Sequence, residues 1–372
     1  MPPSSRGSLG GFGAVLLVGV GVKIAAVAKA LPPHYYDQET LVAALRDHWR
    51  DAGSQRALDR LLSIHKNVMV NGRHLALPLE EYPRLATWAQ ANDAWIRVAE
   101  RLGVEAIGSV IDQTGIERER IGALFFVSVT GVATPSIDAR VISRLSLPCS
   151  IKRVPIFGLG CVAGAAGTAR AADYVRAYPH QAAVLLSVEL CSLTLQRDDL
   201  SVANLIASGL FGDGAAAVMV TGDDLSVDGP SIIASRSIFY PGTERVMGWD
   251  ITERGFKVVL SPEVPEMVRR HLRANVDGFL EEHQLSRSDI SRWICHPGGP
   301  RVIDAMLESL ELEPQALELT WRSLQTAGNL SSTSVLFVLA DTIRDQRPPT
   351  GSYGMMLAMG PGFCSELVLL RW

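Results

Sequence analysis

The sequence lacks three features that would each assign it to a class of protein. Its five cysteines form no CxxC pair and are scattered along the chain, so we expect reduced thiols in a cytoplasmic protein rather than a disulfide framework. A formal net charge of −4 gives no sign of a nucleic-acid binder. Beyond the N-terminus no apolar run approaches transmembrane length, so stable membrane insertion is not expected.

The N-terminal residues allow two interpretations. Arg6 precedes an apolar stretch from Leu9 to Val22, and the small residues from Ala26 to Ala30 resemble a secretory cleavage site. The alternative is a leader, residues 1–22, followed by a first core strand over residues 23–30. We favour the strand, because an enzyme with a reduced thiol does not belong outside the cell.

Strand and helix patterns alternate along the rest of the 372 residues, which are 47% apolar and 20% charged, as in an ordinary globular enzyme. Polar turn residues at 221–230 separate residues 23–225 from residues 226–372. The stretch from Phe125 to Ala139 and the stretch from Trp293 to Ala305 are weakly similar, each a strand leading into a helix. We therefore expect an α/β protein with two similar halves.

Cys161 is the most informative residue of the first half. It follows a predicted strand and a glycine turn, Gly158-Leu159-Gly160, and precedes a helix predicted over residues 168–178. A thiol at a helix N-terminus is favoured as thiolate, the nucleophilic form, by the helix dipole and by unpaired amide groups. The alternative is a buried structural cysteine.

The same stretch also resembles a dinucleotide-binding fingerprint. Gly158, Gly160 and Gly164 follow a strand, and Glu189 ends a later strand where an acid could hold a ribose. However, the true fingerprint usually opens its domain, whereas about 120 residues of strand and helix pattern come first here. An NAD(P)-dependent oxidoreductase therefore remains as an alternative from another class.

Two polar residues of the second half are candidate partners of Cys161. His296 lies in Cys295-His296-Pro297-Gly298-Gly299-Pro300, directly after a predicted strand, and Asn329 lies in Gly328-Asn329-Leu330-Ser331-Ser332, before a predicted helix. Loops at strand ends commonly carry catalytic residues, although an asparagine before a helix is also a usual cap. A thiol, an imidazole and a carboxamide also occur together in papain-like proteases, whose local cysteine signature is missing here.

These motifs resemble those of the type III polyketide synthases, the chalcone and stilbene synthase superfamily. The resemblance rests on GLGCVAGAAG with Cys161, CHPGGP with His296, GNLSS with Asn329 and GLFGDGAAA around Phe211, and it covers nearly the whole chain. The segment RHLALPLEEY, residues 73–82, resembles the bacterial branch. The resemblance implies a thiolase-like fold of five αβαβα layers, two duplicated halves and a homodimer.

The resemblance also implies a reaction. An acyl group moves from coenzyme A to Cys161, malonyl-CoA loses CO2, and the resulting carbanion attacks the bound thioester. His296 as imidazolium would lower the pKa of the thiol, and His296 and Asn329 would hold the enolate oxygen. No metal or redox cofactor is needed, because coenzyme A thioesters are the substrates.

Further site residues are implied by matching positions. Phe211 corresponds to an aromatic residue at the mouth of the family's cavity, and Val258 to a second one that is smaller here. Thr134 corresponds to a residue that reaches into the cavity of the partner protomer, and Arg73 is a candidate contact for a coenzyme A phosphate. The remaining candidates for the substrate cavity are Cys191, Thr194 and Ser331.

The starter is the least determined part of this expectation. Resemblance to the bacterial branch and the small Val258 favour a fatty acyl-CoA starter and an alkylpyrone or alkylresorcinol product. One alternative is a single condensation on an acyl carrier protein, as in the β-ketoacyl synthase III enzymes, whose histidine motif is H-Q-A-N. Another is a catalytically silent binding protein of the same fold, which the three intact polar residues disfavour.

Overall fold

The computed structural model describes residues 21–49, 55–225 and 227–372. Nearly all of the predicted leader, residues 1–20, lies outside them. The first described strand confirms the predicted core strand after the leader. The strands are β1 Val22–Ala30, β2 His34–Asp37, β3 Gly72–Leu75, β4 Ile121–Val127, β5 Lys152–Ile156, β6 Ala182–Leu190, β7 Asp213–Gly222, β8 Ser231–Phe239, β9 Met247–Thr252, β10 Gly255–Leu260, β11 Ile290–Cys295, β12 Tyr353–Gly360 and β13 Cys364–Arg371.

The helices of the described residues fall between these strands. They are α1 Gln38–Trp49, α2 Gln55–Asn67, α3 Trp88–Thr114, α4 Ile137–Arg144, α5 Ala163–Ala177, α6 Val202–Leu210, α7 Val264–Glu281, α8 Pro300–Leu310, α9 Glu318–Ala327 and α10 Ser334–Asp345. None of the described helices is long and apolar enough to cross a membrane.

The order of the main strands shows that one topology occurs twice. Five strands of the first half lie in the order β5-β4-β6-β7-β1, and four of the second half lie in the order β11-β12-β13-β8. In both halves a parallel pair, β4–β6 or β11–β12, is followed by two antiparallel pairs. The two sets meet where Lys23 of β1 pairs with Ser231 of β8. This repetition confirms two duplicated halves, while the boundary near residue 225 stays a prediction.

Helices cover the sheets in layers. Helices α5 and α10 are almost fully buried between the strands of the two halves, in one apolar core. Helix α3 covers the outer face of the first set of strands, and helices α7 and α8 cover that of the second. The stack of helix, sheet, helix, sheet and helix confirms the expected five-layered α/β fold.

Two glycines explain where helix boundaries differ from the sequence prediction. The pattern predicts two helices, residues 85–102 and 105–114, but α3 is continuous, and Gly103 faces the sheet, where an added Cβ would lie 2.9 Å from Leu186 Cδ2. Helix α5 begins at Ala163 rather than at residue 168, and at Gly164 it approaches the backbone of Ser332 too closely for a Cβ. In both cases glycine provides close packing rather than a break.

Candidate active site

Cys161 lies on a short 3-10 turn, Gly160–Val162, between β5 and the N-terminus of α5. Gly160 has φ +54°, and a Cβ at this position would lie 2.6 Å from Cδ of Pro361. The turn therefore requires glycine, both for its left-handed backbone and for its close approach to the neighbouring loop. It places the thiol at the start of a buried helix, as the sequence predicts.

His296 follows the last residue of β11 and is held by its backbone. Its N–H donates to the carbonyl of Leu357 on β12, and its own carbonyl accepts from Gly298, both at 2.9 Å. The ring is 3% exposed, and neither ring nitrogen has a hydrogen-bond partner among the described residues. An imidazole that is buried without a partner is available to another group in the cavity it faces.

The carboxamide of Asn329 is oriented by two hydrogen bonds that fix which atom is which. Its Oδ1 accepts from the backbone N–H of Ser331 at 2.8 Å, and its Nδ2 donates to the carbonyl of Gly298 at 3.3 Å. Only oxygen can accept the first bond and only nitrogen can donate the second. One N–H of the amide is left over, and Asn329 itself is 2% exposed.

One cavity brings the three motif residues together. A space of about 530 Å³ is lined by Cys161, His296 and Asn329. Its walls are mostly apolar, and Phe211 forms part of them. A largely apolar cavity with a few convergent polar groups is typical of a small-molecule site.

The charges of the pair differ from the sequence expectation. Burial raises the pKa of the Cys161 thiol to about 12, and the Glu189 carboxylate adds to the rise. Burial lowers the pKa of His296 to about 3. In this structure the thiol donates to Ser331 Oγ at 3.7 Å and makes no hydrogen bond to His296. Each group taken alone is therefore neutral at pH 7, because its charged form would be poorly solvated.

A second cavity of about 580 Å³ lies on the other side of Phe211, which lines both spaces. Three residues predicted for the substrate cavity, Cys191, Thr194 and Val258, line it. The aromatic residues Trp88, Trp249 and Phe256 also line it, and they form ring contacts with centroid distances of 5.8 and 5.9 Å around Phe256. The sequence pattern did not indicate a site role for any of the three: Trp249 and Phe256 lie on the β9–β10 hairpin, which was not predicted, and Trp88 begins the predicted helix α3.

Ser331 and Thr134 lie in different surroundings. Ser331 is buried against the Cys161 thiol. Thr134 is exposed on the single chain and lines neither cavity. Its predicted role concerns a partner protomer and stays a prediction.

The structure does not support the expected role of Arg73. Its side chain is 3% exposed, and its guanidinium donates to Gln38 Oε1 at 2.9 Å and to the carbonyls of Ser208 and Gly209. A guanidinium enclosed in this way cannot extend to a phosphate at the surface. We therefore remove Arg73 from the coenzyme A contacts.

Glu189, the acid of the alternative dinucleotide interpretation, is inaccessible. It is fully buried, and its carboxylate accepts from the backbone N–H of Val129 at 3.1 Å and from the hydroxyls of Ser128, Thr130 and Ser332. Burial raises the pKa of this carboxyl. Such a carboxylate cannot bind a ribose, so the dinucleotide interpretation is wrong.

The comparisons with known proteins all indicate the same family. The model of the N-terminal domain of chalcone and stilbene synthases matches residues 18–224, and that of the C-terminal domain matches residues 231–372. A 1,3,6,8-tetrahydroxynaphthalene synthase of Streptomyces peucetius subsp. caesius is 50% identical over 95% of this chain and 93% of its own. A putative chalcone synthase of Bacillus subtilis (strain 168) is 39% identical over 94% and 98%.

The solved structures agree. The crystal structure of 1,3,6,8-tetrahydroxynaphthalene synthase from Streptomyces coelicolor A3(2), a bacterial type III polyketide synthase, superposes with a TM-score of 0.89 at 29% identity, covering 94% of this chain and 99% of that one. PKS-I from the brown alga Ectocarpus siliculosus superposes with a TM-score of 0.87 at 28% identity, covering 95% and 98%. The chain thus belongs to the chalcone and stilbene synthase family and is a type III polyketide synthase, an acyltransferase of thiolase-like fold.

Proposed function

We propose that Cys161, His296 and Asn329 perform the condensation. The Cys161 sulfur attacks the thioester carbonyl of an acyl-CoA, the bond to the coenzyme A sulfur breaks, and the proton of the Cys161 thiol leaves with coenzyme A. Malonyl-CoA then loses CO2, and the electron pair of the broken C–C bond forms an enolate. The enolate carbon attacks the acyl thioester, which releases the Cys161 sulfur as a thiolate and leaves the extended chain on coenzyme A. Transfer of this chain from coenzyme A back to Cys161 starts the next extension. The observation that carries this proposal is the convergence of the three side chains in one cavity.

The enolate oxygen needs hydrogen-bond donors that are fixed before the reaction. The spare N–H of Asn329 and a protonated ring nitrogen of His296 are suited to this, because one is locked by Ser331 and Gly298 and the other has no competing partner among the described residues. Removal of one such donor typically lowers the rate about 10²–10³-fold. Asn329→Ala should therefore decarboxylate malonyl-CoA about 10²–10³-fold more slowly, as measured by the rate of acetyl-CoA formation.

Arg301 takes the place of Arg73 as our candidate contact for coenzyme A. It lies at the start of α8 and is the single charged residue among the described residues that line the catalytic cavity. Its side chain is exposed. An arginine at the mouth of a thioester cavity can pair with a phosphate of coenzyme A, and the helix N-terminus adds to the attraction.

Arg301→Ala should raise the KM for malonyl-CoA and leave kcat nearly unchanged. The KM for malonyl-N-acetylcysteamine, which has no phosphate, should stay the same. Arg270→Ala removes another exposed arginine that lines neither cavity and serves as the control. Equal effects on both thioesters would show that Arg301 does not contact the phosphates.

We propose that the starter is a fatty acyl-CoA whose chain occupies the second cavity, giving an alkylpyrone or alkylresorcinol. The support is the apolar part of this cavity's lining, which contains Trp88, Trp249, Phe256 and Val258 beside charged side chains such as Arg197 and Glu253. Each buried CH₂ stabilises binding by about 0.8 kcal/mol, so such a space favours long chains. A second candidate is a product made from malonyl-CoA alone, which the 50% identity to a 1,3,6,8-tetrahydroxynaphthalene synthase favours.

Product mass after incubation with malonyl-CoA and a series of acyl-CoA starters decides between the two. We expect starter-dependent products whose yield rises with chain length. Val258→Phe should shift the preference to shorter chains, because Val258 lines the second cavity. Val259→Phe is the matched control, since Val259 follows on the opposite face of β10 and lines neither cavity. The same aromatic product with and without acyl-CoA would favour the second candidate.

We also propose that the protein acts as a cytoplasmic homodimer without a metal or redox cofactor. Apolar Val132, between β4 and α4, and Phe157, directly after β5, are 40% and 55% exposed, and the exposed Thr134 lies two residues after Val132. Covering such side chains is a common reason for association. Light scattering should give twice the mass of one chain, and Val132→Asp should reduce it.

A further inference from the structure

Arg73 is a buried cation that makes no hydrogen bond to Cys161, His296 or Asn329, although it forms part of the lining of the second cavity. It is 3% exposed, and burial lowers the pKa of its guanidinium to about 10, which leaves it protonated at neutral pH. The carboxylate of Asp213 lies close enough to offset part of this burial electrostatically. A buried charge is destabilising unless it is paired and hydrogen-bonded, so the hydrogen-bond partners of Arg73 indicate its role.

The guanidinium holds the end of α6. It donates to the carbonyls of Ser208 and Gly209, in the last turn of this helix, and to Gln38 Oε1 at 2.9 Å. These carbonyls lie at the negative end of the helix dipole, where a cation is favourable. The helix ends at Leu210, and Phe211 continues in an extended conformation with φ −83° and ψ 138°. Arg73 thus fixes where Phe211 leaves the helix.

The end of α6 in turn holds the backbone of Asn329. The N–H of Asn329 donates to the carbonyl of Leu210 at 2.8 Å, and the N–H of Gly212 donates to the carbonyl of Asn329 at 3.0 Å. The stem of Arg73 also packs against this contact. A Cβ added to Gly328 would lie 2.7 Å from the Leu210 carbonyl and 3.6 Å from Arg73 Cδ.

We propose that Arg73 is a positioning residue that sets the placement of the Asn329 carboxamide through the end of α6. This rests on the proposed role of Asn329 as a donor to the enolate oxygen. The Arg73 side chain makes no hydrogen bond to Cys161, His296 or Asn329. A displacement of about 1 Å at a catalytic group can lower a rate about 10²-fold, so a loss of Arg73 should act on chemistry more than on substrate binding.

The test compares two partial reactions in the full-length enzyme. One is decarboxylation of malonyl-CoA to acetyl-CoA, which needs the Asn329 donor. The other is transfer of a radiolabelled acyl group from acyl-CoA to Cys161 in a single turnover. Arg73→Met should lower decarboxylation about 10- to 100-fold, leave the KM for malonyl-CoA nearly unchanged, and lower acyl transfer much less.

The chain offers a matched control in Arg287. Its guanidinium donates to the carbonyl of Leu310 at the C-terminal end of α8 and to Asp277 Oδ1 at 2.8 Å, and its side chain is 19% exposed. Arg287→Met removes a similar helix-end contact that leads to no catalytic residue. It should lower the Tm without changing the ratio of the two partial reactions.

Asn329→Ala provides the reference ratio. If this variant decarboxylates normally, the proposed role of Asn329 is wrong, and the inference about Arg73 falls with it. If Asn329→Ala has the expected defect but Arg73→Met lowers both partial reactions equally, or lowers only the Tm, Arg73 has a purely structural role. Should Arg73→Met fail to fold, Arg73→Lys serves, because one ammonium group cannot reproduce the planar array of donors.

Discussion

At the scale of single residues, the proposed chemistry depends on the charge state of the Cys161 and His296 pair. Burial favours the neutral form of each group on its own, with the pKa of Cys161 raised to about 12 and that of His296 lowered to about 3. Proton transfer from sulfur to imidazole creates two opposite charges that stabilise each other if the groups are in contact. We infer that the thiol leaves Ser331 and pairs with His296 when it reacts.

The pH dependence of alkylation tests this pairing. In the wild type, the rate of Cys161 alkylation by iodoacetamide should reach a plateau at a pH below 8, because the imidazolium favours the thiolate. In His296→Gln the pKa of the buried thiol should remain high, so the rate should be at least about tenfold lower at pH 7 and rise steadily with pH. Identical profiles for the two proteins would show that His296 does not control the thiol.

At the scale of elements, replacing glycine by alanine should change stability in opposite directions at Gly160 and at Gly108. Gly160→Ala adds a Cβ at φ +54° and 2.6 Å from Pro361. The left-handed backbone alone costs about 1–2 kcal/mol, and the displaced turn should also reduce Cys161 alkylation. Gly108→Ala lies within α3 with nothing within 4 Å of the new Cβ, and it should stabilise by about 0.5–1 kcal/mol.

Urea unfolding of the two variants measures both effects. A Gly160→Ala enzyme with wild-type stability and normal alkylation would contradict the role given to this turn. A Gly108→Ala variant with a lower free energy of unfolding than the wild type would show that helix propensity does not determine stability at that position.

The elements that carry the catalytic motifs are those that the sequence predicts well. Strand patterns before Cys161 and His296 and the helix after Asn329 are local signals, and the structure places them within a few residues. The hairpin β9–β10 was not identified, because its polar and apolar residues do not alternate regularly and the contact of Phe256 with Trp88 of α3 joins residues remote in the chain. Nor could the sequence show that Arg73 is enclosed, since its partners Ser208 and Gly209 are remote in the chain.

Buried titratable groups determine how the whole molecule responds to acid. Burial lowers the pKa of both His65 and His296 to about 3, below the ordinary value of 6.5. Between these values the unfolded state binds more protons, so the free energy of unfolding should decrease as the pH falls. This decrease is the contribution of the two histidines alone. Asp213, whose carboxyl pKa burial raises to about 6, acts in the opposite direction, and so do Glu189 and Glu366, whose pKa burial also raises.

Urea unfolding at pH 7 and pH 5 measures this dependence. Between pH 7 and pH 5 the wild type should lose stability relative to His65→Gln, because this position no longer takes up a proton on unfolding in the variant. The same change of the free energy of unfolding in both proteins would show that His65 does not contribute to the acid sensitivity.

The central claim is that Cys161 carries the growing chain, and intact-protein mass spectrometry tests it most directly. After brief incubation with an acyl-CoA, the wild type should gain the mass of one acyl group, and digestion should place it on the peptide that contains Cys161. Addition of malonyl-CoA should lengthen this adduct, whereas Cys161→Ser should yield no condensation product. An acyl adduct on another cysteine, or condensation products from Cys161→Ser in wild-type yield, would contradict the account.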